Sequence, residues 1–187
     1  MNERAGLGIG PNLTHPRLPL QQQTPATGRQ PFPSLHKSSA RAFFGRMQIR
    51  PFQSPDEQPV IELWHKCDLV RPWNNPQKDI SRKLQVQPEL FLVGVVEEQI
   101  VATIMAGYEG HRGWLNYLAV APQYQRRGLA RNLVGEAERL LRVAGCPKIN
   151  LQIRSSNQAV IGFYRRLGYD VDDVVSMGKR LERDIRA

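Results

Sequence analysis

The sequence contains little of what marks a membrane, metal-binding or secreted protein. No apolar run approaches the length of about 20 residues that a membrane-spanning helix needs. The two cysteines, Cys67 and Cys146, lack the spacing of metal ligands, and residues 1–46 lack the apolar core of a secretory signal. We therefore expect a cytoplasmic protein with no metal and no membrane partner, because a reducing compartment suits this cysteine usage.

Common nucleotide-binding motifs are also missing. Neither a GxxxxGK[ST] loop nor a GxGxxG run after a strand occurs, and no recognised nucleic-acid-binding module is present. The formal net charge of +9, from 26 basic and 17 acidic residues, would suit an anionic partner. Residues 1–46 hold six basic residues and one acidic residue, so they carry +5 and leave +4 for residues 47–187. The second part is only mildly basic, and we expect no nucleic-acid partner.

The chain divides into two parts near residue 46. Residues 1–46 contain six prolines and a run of three glutamines, which predicts a disordered leader. Regular hydrophobic patterns begin at Met47, so whether the leader belongs to the mature protein stays open. Residues 47–187 are long enough for a single folded domain with a hydrophobic core.

Hydrophobic periodicity in residues 47–187 alternates between strand and helix patterns. Ser54 as N-cap, Pro55 at the first helical position and Glu57 in a capping box predict the first helix start. The predicted elements, in chain order, are a strand at 47–52, helices at 54–68 and 76–86, two strands within 89–109 joined by a turn at 97–99, a strand at 114–121, a helix at 127–144, a strand at 148–154, a helix at 156–167 and a strand at about 169–179. This β-α-α-β-β-β-α-β-α-β order predicts an α/β protein with a mixed sheet flanked by helices.

The start of the helix predicted at 127–144 suits an anionic ligand. The first turn of a helix has backbone N–H groups without intrahelical partners, and the helix dipole adds positive charge there. Gly128 would let a ligand approach the backbone, while Arg126 and Arg127 would add charge and forked donors. Residues 125–130 therefore fit a phosphate or pyrophosphate, although an ordinary helix start with solvated arginines explains them equally well.

Two motifs resemble the signatures of one enzyme family. The hexapeptide QRRGLA at 125–130 resembles the Q/R-x-x-G-x-G/A signature of GNAT-type N-acetyltransferases. The stretch RSSNQAVIGFYRRLGY at 154–169 resembles the second signature, N-x-x-A-x-x-x-Y-x-x-x-G-F/Y, with Val160 in place of the small residue. Both occur in the right order and separation, and several other stretches are similar to YpeA-type bacterial acetyltransferases. The resemblance covers residues 47–187 and implies acetyl transfer from acetyl-CoA to an amine.

The resemblance also implies where acetyl-CoA would bind. Leu118, Ala119 and Val120 would pair their backbone with the pantetheine arm, and Asn157 would hydrogen-bond that arm. Tyr164 would protonate the departing CoA thiolate. The backbone amides that would hold the pyrophosphate belong to Gln125, Arg126, Arg127, Gly128, Leu129 and Ala130, with Arg126 the favoured side-chain contributor. Two plainer interpretations stay open, since asparagine suits a helix N-cap and Tyr164 shares a helix face with core residues.

The general base is harder to identify. An alkylammonium must lose a proton before it can attack, and a lysine-like amine has a pKa of about 10.4. Many relatives place a glutamate on one of two strands, but residues 114–120 contain no carboxylate, and Gln152 occupies the other position. Glu109 and His111 are the candidates, acting directly or through water, and a solvated turn is the alternative for both.

The segment 64–75 would border the acceptor pocket in a GNAT protein. Aromatic rings can surround a cationic amine and a carboxylate can attract it. Arg71 would also suit an acceptor with its own carboxylate or phosphate, and Trp64 could instead belong to the core. The predicted acceptor contacts are Trp64, Asp68, Arg71, Trp73 and Asn74. The acceptor itself stays open, as does the choice between monomer and homodimer, and a non-catalytic acyl-CoA-binding or regulatory module is the rival to an enzyme.

Overall fold

A computed structural model describes residues 46–182 and residue 184. The predicted disordered leader, apart from Arg46, lies outside these residues and stays a prediction. Within the described residues, no helix is both long and apolar enough to cross a membrane.

In the described part of the chain, five strands form one mixed sheet, and four α-helices accompany it. The sheet order is β1-β2-β3-β4-β5, with antiparallel pairs from β1 to β4 and a parallel pair between β4 and β5. This arrangement confirms the predicted α/β class with a mixed sheet. The elements are β1 Gln48–Pro51, α1 Glu57–Lys66, α2 Pro76–Leu84, β2 Phe91–Val96, β3 Gln99–Tyr108, β4 Gly113–Val120, α3 Leu129–Val143, β5 Ile149–Asn150 and α4 Gln158–Arg165.

The first helix begins differently from the sequence prediction. Residues Ser54–Asp56 form a short 3-10 turn, so Ser54 is not the N-cap of a continuous helix. The side chain of Asp56 instead accepts a hydrogen bond from the backbone N–H of Gln53 at 2.8 Å. The same carboxylate accepts two bonds from Arg50, at 2.6 and 2.9 Å. Asp56 therefore fixes the chain entry, because one carboxylate satisfies both a backbone donor and a guanidinium.

The hydrophobic core lies on both faces of β3. Every residue from Val101 to Ala106 is buried, although successive strand residues point to opposite faces. Helix α3 contributes Leu133, Ala137 and Leu141 to this core, and all three are fully buried. Helix α1 contributes the fully buried Trp64. The sheet is therefore a central layer, and its strand ends are the places where a ligand could enter.

The predicted final strand at 169–179 does not form, and β5 is only two residues long. Side chains on either side of β5 contact this segment, since Lys148 pairs with Asp172 at 2.7 Å and Gln152 donates a hydrogen bond to Ser176. Both contacts join residues 24 apart and use side chains only. A strand needs a paired backbone, and the apolar pattern of the sequence does not supply one. The side chains that suggested a strand, among them Val174, Val175 and Met177, are exposed.

Candidate active site

Strands β4 and β5 separate soon after they meet. They pair at Gly113 with Ile149 and at Trp114 with Asn150, and no further pairing between them follows in the described residues. The remainder of β4, residues 115–120, therefore has an open edge. The backbone N–H of Ala121 donates to Val101 on the β3 side, at 2.8 Å. Because N–H groups alternate sides along a strand, the N–H of Val120 points to the open edge.

A β-bulge lies in the middle of this open part. Met105 pairs with Asn116, whereas Thr103 pairs with Ala119, so two residues of β4, at positions 117 and 118, oppose a single residue of β3. Tyr117 has a φ of 50°, which is uncommon for a residue with a side chain. The bulge changes the direction of β4 within the part of the strand that has no β5 partner.

Buried polar groups hold the bulge in place. The Thr103 hydroxyl donates to the Tyr117 carbonyl at 3.0 Å and accepts from the Trp64 indole N–H at 2.9 Å. The Trp64 ring also stacks on the Tyr117 ring, with centroids 4.1 Å apart. Trp64 is fully buried, so the prediction that it contacts the acceptor is wrong. It belongs to the core and packs against β4 at Tyr117.

The chain then forms the helix start that the sequence indicated. Arg126 and Gly128 both have positive φ, at 58° and 84°, and α3 begins at Leu129. The first intrahelical hydrogen bond runs from Asn132 to the Gly128 carbonyl at 3.1 Å, so the amides between them project from the helix end. A Cβ placed on Gly128 would meet no atom within 4 Å. This end of α3 therefore presents bare backbone donors to open space, which is what a pyrophosphate needs.

Side chains around the loop have defined positions. The Gln125 amide donates to the Val120 carbonyl at 3.0 Å, which ties the loop to the open strand. The Arg127 guanidinium lies over the Tyr124 ring, 5.5 Å from its centroid, and Arg126 is exposed. The structure thus brings together the predicted cofactor residues of β4 and of the α3 start. Their binding role stays a prediction.

Asn157 and Tyr164 lie on α4. The Asn157 oxygen accepts from the Val160 backbone N–H at 3.3 Å, so this residue is the helix N-cap, and its amide nitrogen is left to donate. Tyr164 is 6% exposed and packs edge-to-face against Phe163 and Tyr169. Burial raises the pKa of the Tyr164 phenol above its ordinary value, which keeps it protonated at neutral pH.

Glu109 lies away from the open edge. It sits in the turn between β3 and β4, and its two carboxylate oxygens accept from the Arg112 backbone N–H at 3.0 Å. Those hydrogen bonds lower the pKa of Glu109, which weakens it as a base. The bulge at Tyr117 is four residues beyond Gly113, or about 13 Å along the strand. This placement gives no support to Glu109, or to the exposed His111 in the same turn, as the base.

A cleft of about 640 Å³ opens between the α1–α2 segment and the C-terminal segment. Three of the predicted acceptor contacts line it, namely Arg71, Trp73 and Asn74. Asp68 does not line it directly but pairs with Arg71 at 2.7 Å. The charged lining residues are three arginines and three carboxylates, Arg71, Arg82, Arg180, Asp79, Glu182 and Asp184. The balance of charge does not select a cationic or anionic acceptor.

Asp79, which lines this cleft, and Tyr117, which bonds to it, were not singled out by the sequence. The Tyr117 hydroxyl donates to Asp79 at 2.6 Å and accepts from the Asn74 side-chain amide at 2.6 Å. In the sequence, Tyr117 lies within a strand pattern and Asp79 within a helix pattern, and no local motif links them. Only the absence of any carboxylate on β4 hinted that a group from another element takes part.

Comparison with known proteins identifies the family. The site described above combines an open strand edge, a bulge and a helix that starts after a glycine. Residues 53–169 match the model of the acetyltransferase (GNAT) family, which is more than half of the chain. The chain belongs to the GNAT family and is an acetyltransferase.

Individual relatives agree with this assignment. An acetyltransferase of Yersinia pestis (strain Pestoides F) is 51% identical over 135 residues, covering 72% of this chain and 96% of the relative. The ribosomal-protein-S18-alanine N-acetyltransferase of Escherichia coli has a TM-score of 0.57 at 24% identity, covering 66% of this chain and 77% of that chain. AAC(6')-Iy, solved with the bisubstrate analogue CoA-S-monomethyl-acetylneamine, has a TM-score of 0.61 at 18% identity, covering 73% and 99%. The two solved structures confirm the fold.

Proposed function

We propose that this acetyltransferase moves the acetyl group of acetyl-CoA to a primary amine, which attacks the thioester directly. The observation that carries the proposal is the open edge of β4 beside the bare N-terminus of α3. A long carrier with a diphosphate would find backbone partners along the first and backbone donors at the second. The solved structure of AAC(6')-Iy contains a CoA-linked analogue, which supports this choice of carrier.

The residues present fit such a carrier. The Val120 N–H and the Asn157 amide would hold the pantetheine arm, together with the backbone of Leu118 and Ala119. The amides of residues 125–130 would hold the pyrophosphate, and the open space at Gly128 leaves room for it. When bound, acetyl-CoA would supply the thioester whose acetyl group is transferred.

Tyr164 is proposed as the acid for the leaving thiolate. Burial keeps its phenol protonated through the neutral range, so the group holds a proton that it could give. Among the described residues, none forms a hydrogen bond with the Tyr164 hydroxyl, so its proton is not committed to another acceptor. The acceptor amine would enter from the cleft lined by Asn74 and Asp79.

Calorimetry with the full chain tests the carrier. Titration with acetyl-CoA should give one binding event per chain, and the same ligand should raise the melting temperature, because only the native state would bind it. The amines for turnover are spermidine, lysine amide, an alanine-terminated peptide and neamine, with thiol release as the signal. The peptide and neamine follow the acceptors named for the two solved structures. Absence of both heat and thermal shift would contradict the proposal.

The acid role is tested by Tyr164→Phe. General acid catalysis contributes about 100-fold or more, so kcat should fall by at least that factor while the acetyl-CoA dissociation constant stays within threefold. Tyr108→Phe is the matched control, since that hydroxyl bonds the carbonyls of Gly110 and Gly145 in a different region. Unchanged kcat in Tyr164→Phe would contradict the assignment.

A further inference from the structure

We propose that Tyr117 and Asp79 form the proton-accepting pair for the acceptor amine, in place of the carboxylate that β4 lacks. The inference rests on the proposed function, because a proton acceptor has a role here only if an amine is acetylated. Tyr117 would contact the amine, and Asp79 would act through Tyr117.

The pair is built from two elements that meet at the bulge. Tyr117 belongs to β4, and Asp79 belongs to α2, 38 residues earlier in the chain. The Tyr117 hydroxyl donates to one oxygen of Asp79 at 2.6 Å. The Asn74 side chain donates to the same hydroxyl at 2.6 Å. Asn74 is itself fixed, since its oxygen accepts from the Arg71 backbone N–H at 2.8 Å. The phenol oxygen therefore has one donor bond, one acceptor bond and one acceptor site left for an amine N–H.

Tyr117 connects the two parts of the site. Its backbone forms the bulge on the open edge of β4, one residue before the stretch that would carry the pantetheine arm. Its hydroxyl lies within 2.6 Å of Asn74 and Asp79, which both line the 640 Å³ cleft. An amine that entered through the cleft and reached for a thioester on β4 would pass this hydroxyl.

Charged side chains surround Asp79 in the cleft. Arg82 on α2 donates to the second oxygen of Asp79 at 3.2 Å, and it also pairs with Asp184 at 2.7 Å. The other charged groups that line the cleft are Arg71, Arg180 and Glu182. From the α1 side, the neighbour of Tyr117 is the uncharged Trp64 ring.

The phenol alone is a poor base in this setting. Burial raises the pKa of Tyr117, and the hydrogen bond to Asp79 raises it further, so the hydroxyl is protonated at neutral pH. A protonated phenol can accept a proton only if it passes its own proton onward. Asp79 is placed to receive it.

The pair would remove a proton from the bound alkylammonium before it attacks. An N–H proton of the ammonium moves to the Tyr117 oxygen as the Tyr117 proton moves to Asp79, which leaves a neutral amine. As the nitrogen–carbon bond forms and the carbon–sulfur bond breaks, Tyr164 gives its proton to the thiolate sulfur, and the second N–H proton passes through water to Tyr164. Tyr117 and Tyr164 end unchanged, and Asp79 releases one proton to the solvent.

The test is the pH dependence of kcat/KM for Tyr117→Phe and Asp79→Asn, with the amine of the panel above that the wild type acetylates fastest. Each variant should lose about 100-fold at neutral pH. Without the pair, only amine that is already neutral reacts, so the variant rate should rise about tenfold per pH unit toward the pKa of the chosen amine, which is about 10.4 for a lysine-like amine and about 8 for an N-terminal amine. The ratio of wild type to variant should therefore shrink as the pH rises. The double variant should lose no more than either single variant, because the two residues act as a unit.

Matched controls and binding data separate the outcomes. Tyr108→Phe and Asp172→Asn make the same chemical changes elsewhere and should keep wild-type rates. The acetyl-CoA dissociation constant should be unchanged in both pair variants, and Asp79→Glu, which keeps a carboxylate, should recover at least tenfold over Asp79→Asn. A loss of equal size at every pH would show a structural effect and overturn the pair. Failure of the wild type to bind acetyl-CoA would instead contradict the proposed function.

Discussion

The two ends of β4 differ in their backbone partners and in the space around their glycines. At the first end, Gly113 pairs with β3 on one side and β5 on the other, and its backbone N–H donates to Lys148 at 2.8 Å. A Cβ there would lie 2.8 Å from the Cys146 sulfur and 3.2 Å from a Leu141 methyl carbon. At the other end, β4 has no β5 partner and contains the bulge. The loop after it leads to Gly128, where a Cβ would meet nothing within 4 Å.

The difference shows why a sheet of this kind can carry a site. Pairing on both sides satisfies the backbone at the first end and leaves no donor for a ligand. Loss of one neighbour at the second end exposes backbone groups that a ligand can satisfy. The glycines mark the contrast, because Gly113 is required by close packing and Gly128 by a positive φ.

Alanine in place of each glycine should have different effects, on binding at Gly128 and on stability at Gly113, and the larger effect is expected at Gly128. In Gly128→Ala, a Cβ in the left-handed region costs about 1–2 kcal/mol and projects into the space that would take the pyrophosphate. We expect the acetyl-CoA dissociation constant, measured by calorimetry, to rise about 10- to 100-fold. An affinity within twofold of wild type would place the diphosphate elsewhere.

Gly113→Ala should affect stability instead. The new methyl group must displace the Cys146 and Leu141 side chains, and overpacking of this kind costs about 1–3 kcal/mol. Urea unfolding should show this loss, while the protein that stays folded should bind acetyl-CoA with wild-type affinity. If Gly113→Ala weakens binding as much as Gly128→Ala does, the two ends are not separate in function.

High pH should lower the stability of the folded protein through Tyr117. The pKa of Tyr117 is raised in the folded protein above the ordinary value of about 10. The contribution of the phenol to stability is therefore complete below pH about 10 and is lost as the pH rises further. One phenol can change the stability by at most about 1.4 kcal/mol per pH unit. We expect the melting temperature of the wild type to fall faster above pH about 10 than that of Tyr117→Phe. Equal slopes would contradict the raised pKa.

The smallest effect is expected at the paired end, in Glu109→Gln. Its carboxylate caps the turn through Arg112, and the structure does not bring it to the open edge. With the fastest amine of the panel, kcat/KM should stay within about twofold of wild type. A loss of tenfold or more would mean that Glu109 takes part in the reaction and would revive its assignment as the base.

Much of the fold follows from local patterns in the sequence. Hydrophobic residues at helical spacing predicted α3, and Leu133, Ala137 and Leu141 are buried on one face of that helix. The turn between β2 and β3 also forms as predicted, with Glu97 and Glu98 at positive φ in place of the usual glycine or asparagine. The predicted strand at 169–179 was wrong, because an apolar pattern shows a preference for burial and does not provide a backbone partner.

The candidate site divides in the same way. The glycine-started helix and the cap at Asn157 depend on neighbours within a few residues, so the sequence indicated both. Trp64 was misassigned because an aromatic residue near a loop looks the same whether it lines a pocket or fills a core. Its contact with Thr103 joins residues 39 apart, and no local pattern contains it.

The α/β class, the family resemblance and the place of the helix start follow from residue types at short spacing, so they can be obtained from the amino-acid order alone. The bulge at Tyr117, the separation of β4 from β5 and the hydrogen bond between Tyr117 and Asp79 appear only in the folded chain. Strand register and helix packing set those contacts, and both are properties of the whole folded chain because each pairs residues that the sequence keeps far apart.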